Sequence, residues 1–218
     1  MKKRDEVRTT DDGLDNPSRL PWVLLVLYLA EFVVLAFNPV SRGTWWAENL
    51  TVLIIVGALT WLYWRGVRFS NLAYVLMSVL VFMHTVGGHY TFAEVPFDWV
   101  TQLIGAERNH YDRIAHFSVG FYAFAFMEYA EARRLTRSRA FAWWAAVATI
   151  WMVAAIYEVI EWQYAVLSAP DAGAEFLGSQ GDIWDAQKDM LADGLGAIAA
   201  ATLYVVVRRR PSPRTLDV

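Results

Sequence analysis

A chain of 218 residues that is 56% hydrophobic, with 11 tryptophans, belongs in a membrane and is too apolar to be a soluble enzyme. Its formal net charge of −3, without any basic patch interleaved with aromatics, excludes nucleic acid as a partner. It has no cysteine, which rules out disulfides, a thiolate nucleophile and a cysteine zinc site, so any metal must be held by carboxylate, imidazole, carbonyl and water.

Residues 1–20 are charged, carry Asp, Thr, Gly and Pro, and offer little for a core; they read as a disordered cytoplasmic tail. The first apolar run follows without a small-residue cleavage pattern, so no signal peptide is expected. It spans Pro21 to Phe37, with proline at a plausible helix start, Asn38-Pro39 at its end and Glu31 in the middle. A second span runs from Trp45 to Trp64, with aromatics at both ends suited to the headgroup region, and Arg65 and Arg68 close it.

The third span, Asn71 to His89, contains Gly87-Gly88 between His84 and His89, where the helix is expected to loosen or break. The loop beyond it contains Trp99 and WVTQLIG, which suits a short interfacial helix. A fourth span begins in ERNHYDRIAHFSVGF and reaches about Tyr129; Arg133, Arg134, Arg137 and Arg139 follow. The fifth runs from Ala140 past Glu158 and Glu161 towards Leu167. After a loop rich in Gly and Ala over 171–181 comes GDIWDAQKDMLADGLGA, which leads into the apolar stretch Met190 to Val207 and ends at Arg208.

These elements predict an all-α fold: a polytopic bundle of six transmembrane helices over 21–207, with a basic cytoplasmic tail over 208–218. Fifteen basic residues fall on the side of the termini, and only Arg42, Arg108, Arg113 and Lys188 on the other. By the positive-inside rule both termini are cytoplasmic, in a bacterial or archaeal cytoplasmic membrane.

The last helix carries the most polarity where it is hardest to accommodate. Asp182, Asp185, Asp189 and Asp193 fall within about 80° of one helix face at roughly 100° per residue. Asp182 reads as the N-cap after Gly181, and Asp185 suits the first-turn dipole. Asp189 and Asp193 lie deeper, where an ionisable group marks a functional site by default. With this topology His84 and His89, then His110, Asp112 and His116, then Glu158 and Glu161 reach the same outer level from three other helices.

Carboxylates so close need a cation or protons between them. One solution is a divalent metal, magnesium, manganese, calcium or zinc, held by some of Asp185, Asp189, Asp193, Glu161 and His116. In that case Glu158, Glu161, Asp189 and His116 supply acid, base or ligand groups, while Arg113, Lys188 and Asp112 contact substrate, Arg113 steadying an anionic headgroup. The other solution balances the acids with protons, Arg113 and Lys188, and suits passage of a cation or protons.

ERNHYDRIAHFSVGF, YEVIEWQYA and GDIWDAQKDMLADGLGA resemble the signature segments of the YjdF-like bacterial inner-membrane family, over about Leu20 to Val207. The resemblance implies a six-span inner-membrane protein and fixes no activity. More loosely, Asp112, Arg113, His116 and Phe117, then Glu161, then Asp193 and Gly196 are similar to the pattern of VanZ-like membrane proteins, from which the chain departs at Gly194 and Leu195. That similarity implies a cell-envelope or lipid role. The function expected is therefore a metal-dependent enzyme or binder acting on an envelope lipid or lipid-linked headgroup, with a small cation or proton transporter and a non-catalytic scaffold as the alternatives.

Overall fold

A computed structural model of the chain describes residues 18–168, 173, 177 and 179–208, and every regular element among them is a helix. The tail expected over 1–20 lies outside the described residues except at its last three positions, as do most of the 171–181 loop and all of the basic tail beyond Arg208. In chain order the helices are α1 (Leu20–Leu35), α2 (Arg42–Trp64), α3 (Asn71–Tyr90), α4 (Asp98–Leu103), α5 (Tyr111–Val119), α6 (Tyr122–Ala132), α7 (Arg139–Leu167) and α8 (Asp185–Val207).

Four of them, α2, α3, α7 and α8, are long and apolar enough to cross a membrane; α1, at 16 residues, is a shorter apolar helix. The stretch read as one fourth span is two helices, α5 and α6. Between them the backbone stays right-handed and tightens: Phe121 N donates to Ser118 O, Ala123 N to Gly120 O and Phe124 N to Phe121 O, all three-residue steps. The chain therefore keeps its direction through the interruption. The short helix expected at WVTQLIG is α4, with Trp99 and Leu103 exposed.

Gly87-Gly88 do not break α3, which runs on to Tyr90 and ends at Thr91 in the left-handed region with φ 63°. Their smallness serves packing instead. A Cβ on Gly88 would lie 2.9 Å from Asn49 Nδ2 and 3.0 Å from Glu48 Cβ, so the missing side chain is what lets α2 and α3 approach. The entry ends of α2, α3 and α7 are capped by serine: Ser41, Ser70 and Ser138 accept from Thr44 N, Ala73 N and Phe141 N.

Where α3, α6, α7 and α8 meet, the core is dominated by small residues and a few large ones, among them Ala123, Ala146, Ala197, Ala201, Met127 and Phe124. At one end of this bundle Glu128 accepts from the backbone and hydroxyl of Ser70 and from Arg208, while Glu131 pairs with Arg139 and accepts from Tyr204. Those bonds tie together the start of α3, the end of α6, the start of α7 and the end of α8. The acids and imidazoles considered below gather at the opposite end.

Candidate functional site

The site is assembled on the crossing of α5 and α8. Gly120 lies against the backbone of Gly196 and Ala197, and Gly196 against the carbonyl of Phe117, a contact no side chain could share. One turn above that crossing, His116 Nδ1 is 3.2 Å from Asp193 Oδ2 and its Nε2 is 3.6 Å from Asp112 Oδ1. The pair Asp112 and His116, four residues apart, shares a helix face as its spacing requires.

Further out along α8, Asp189 Oδ1 accepts from Arg113 Nε at 3.0 Å, leaving Oδ2 for another partner. Asp185 Oδ1 is 2.6 Å from both Arg113 and Arg108. Asp182 pairs with Lys188 at 2.6 Å, Arg113 at 3.0 Å and Arg108 at 3.4 Å. The four aspartates thus form one continuous stripe, and Asp185, Asp189 and Asp193 are buried.

Asp182 is not the N-cap. The helix begins at Asp185, and Asp182 accepts from Trp184 N in the preceding turn, where three cations converge on it. Lys188, that backbone amide and Arg113 hold its carboxyl well below the usual carboxylate range. His110, just ahead of α5, is held below the ordinary imidazole value by burial and by Arg108, Arg113 and Lys188.

Across from α5 and α8 stands a second wall. Glu48 of α2, only 2% exposed, has its Oε2 3.0 Å from His84 Nε2 and accepts from the Tyr157 hydroxyl at 3.2 Å. Between the walls lies a cavity of about 90 Å³ lined by Glu48, His84, Asp112, His116, Tyr157, Glu161 and Asp193. Five helices contribute to it. Asp112, His116 and Asp189 also offer ligand atoms within 4.8 Å of one another.

The structure therefore brings together His116, Glu161, Asp193, Asp189 and Asp112 among the residues expected from sequence. It places others apart. Asp185 is taken up by Arg108 and Arg113, and Arg113 itself by three aspartates. Lys188, the most exposed partner of the stripe, sits at its outer end on Asp182. Glu158 does not line the cavity, although its Oε1 is buried without a hydrogen-bond partner among the described residues. His89 Nδ1 lies 2.7 Å from the carbonyl of Leu35 and ties α3 to α1.

Glu48 and Tyr157 join the site without having been expected from the sequence. The signal for Glu48 was present: it lies in the first turns of α2, an acid close after Trp45-Trp46, at the level the other acids occupy. Tyr157 carries no such mark, because aromatic residues are common throughout this chain.

Residues 20–210 match the family described as Predicted membrane protein (DUF2238). The chain is also 32% identical over 193 residues to inner membrane protein YjdF of Escherichia coli (strain K12), with 88% of each chain covered. No solved structure matches it.

Proposed function

The chain belongs to the YjdF-like (DUF2238) family of membrane proteins, and we propose that it is a metal-dependent enzyme or binder of the inner membrane acting on an envelope lipid or lipid-linked headgroup. The observation that carries this reading is the convergence of Asp112, His116 and Asp189 within 4.8 Å of one another beside a carboxylate-lined cavity. A divalent cation held there would offset charges that otherwise repel and would favour an anionic headgroup.

In this reading Asp112, Asp189 and His116 would hold the ion. Asp193, on Nδ1 of the same imidazole, fixes the ring and its tautomer, the arrangement expected around a metal-bound histidine. Bound metal supplies a Lewis acid and a water that ionises more readily. Glu161 and Glu48, on the facing wall, are the cavity carboxylates that would serve as acid or base. Ion passage is the weaker reading, since below His116 the cavity is lined by Val119, Val153 and Ala154 and offers ions no polar path inward.

The expected result is that purified protein, incubated with magnesium, manganese, calcium or zinc in turn and desalted, retains one of them, and that Asp112→Asn with Asp189→Asn retains at least tenfold less. Full occupancy in the double variant, or none in the wild type with any of the four, overturns the assignment.

The same reading takes α1 and the α5–α6 pair as two further crossings, making six, with both termini cytoplasmic and the cavity opening outwards. Support comes from the basic residues at the cavity end, all of which have partners inside the protein: Arg42 on the Ala36 carbonyl and over the Trp45 ring, the other three on the aspartate stripe. A chain without cysteine permits a clean test. Cysteine in place of Ile183, which is 84% exposed, is expected to react with an impermeant maleimide on intact spheroplasts. Reaction only after the membrane is opened would invert the orientation.

A further inference from the structure

The cavity has two chemically different ends, and the division is the same on the four helices that line both of them; α8 adds only Asp193. On α2 the lining passes from Glu48 and Thr51 to Val52 and Ile55; on α3, from His84 to Val81 and Leu80. On α5 it passes from Asp112 and His116 to Val119, and on α7 from Glu161 and Tyr157 to Val153. At about 1.5 Å per residue each of these runs covers roughly 6 to 12 Å along its helix. Because α2 and α5 run one way and α3 and α7 the other, the agreement does not follow from sequence order. It is a property of the space they enclose.

The walls are also unequal in closure. α5 packs closely on α8, α7 on α8 and α2 on α3, whereas among the described residues α2 and α7 face each other with almost no backbone contact. Tyr157 reaches across that seam to Glu48 at the polar end. At the apolar end, Val153 lines the cavity and is still 45% exposed, so the seam communicates with the lipid-facing surface.

We infer that the cavity is a binding site for a membrane lipid, which enters sideways between α2 and α7 with its hydrocarbon chain along Ile55 and Val153 and its headgroup among Glu48, His116 and Glu161. This rests on the proposed lipid function and adds the way in. It also gives a role to the hydrogen bond from Tyr157 to Glu48, a contact across the seam that can open and close where helix packing could not. A water-soluble substrate would need neither the seam nor the apolar floor.

The test uses full-length protein in phosphatidylethanolamine vesicles doped with phosphatidylglycerol that bears a diazirine near the end of one acyl chain. Irradiation is expected to label cavity-facing residues, Ile55, Leu80 and Val119 among them, as well as exposed positions such as Ile54 and Ile156. In Val153→Trp, and separately in Ile55→Trp, the cavity labels are expected to fall at least tenfold while the exposed ones stay unchanged, which also shows that the variant is folded. Labels confined to exposed faces in the wild type, or cavity labels insensitive to both tryptophans, overturn the proposal. Comparing the labelling with metal retention separates the two readings: cavity labels in protein that retains none of the four metals leave the lipid site standing and remove the metal, and retained metal without cavity labels does the reverse.

Discussion

Replacing Gly196 with valine is expected to abolish folded protein, while the same purification yields Gly57→Ala at or above the wild-type level. A Cβ at Gly196 would collide with the carbonyl of Phe117, and one at Gly120 with the backbone of Gly196 and Ala197. Neither neighbour is a side chain that can swing away. Overpacking a core typically costs about 1–3 kcal/mol when side chains can adjust. Where two backbones must separate, the cost is expected at or above the top of that range, on the order of the whole stability of a marginally stable domain. Gly57 has nothing within 4 Å, so alanine there removes only the entropic penalty of glycine in a helix, a gain of about 0.5–1 kcal/mol. The measurement is thermal unfolding in detergent, followed by gel filtration. A Gly196→Val protein that elutes as a monodisperse peak and melts with the wild type would show that α5 and α8 do not cross where the structure puts them.

The same crossing fixes the site. His116 precedes Gly120 by four residues and Asp193 precedes Gly196 by three, so each polar partner lies about one helical turn from its glycine, and closest approach of the backbones brings imidazole and carboxylate to 3.2 Å. That His116, Asp193 and Glu161 share one level of the bundle was legible in the sequence, because each lies near the same end of its apolar run. The rotation of each helix about its own axis was not, since that is decided by which small residues meet. This is why Glu158 and Glu161, equal by depth, separate in the structure, with only Glu161 lining the cavity. It is also why Gly87-Gly88, expected to break the helix, instead make contacts, Gly87 with the Phe92 ring and Gly88 with Asn49 and Glu48. Glu48 meets the same criterion, since it stands in the first turns of α2 at the level of the acids on α5 and α8. The division of the fourth span at Gly120 has the same origin, a local tightening that follows from tertiary approach and leaves no mark in hydropathy.

Arg113→Gln is expected to be the most damaging single change among the charged residues, lowering stability by about 3–5 kcal/mol, the range found when one partner of a buried ion pair is removed. Its guanidinium holds Asp182, Asp185 and Asp189 at 3.0, 2.6 and 3.0 Å, with a side chain only 17% exposed. Without it Asp185 keeps Arg108 and Asp182 keeps Arg108 and Lys188, but Asp189, 4% exposed at its side chain, keeps no ion-pair partner among the described residues. The loss should therefore fall mainly on Asp189. Two comparisons make that specific. Lys188→Gln removes an ion pair whose lysine side chain is 46% exposed and should cost about 0–1 kcal/mol, vanishing in high salt. Adding Asp189→Asn to Arg113→Gln removes the stranded carboxylate and should recover a large part of the lost stability, measured as the unfolding midpoint in metal-free detergent. Equal effects for Arg113→Gln and Lys188→Gln, or no recovery in the double variant, would mean that the stripe is solvated and lies outside the buried part of the bundle.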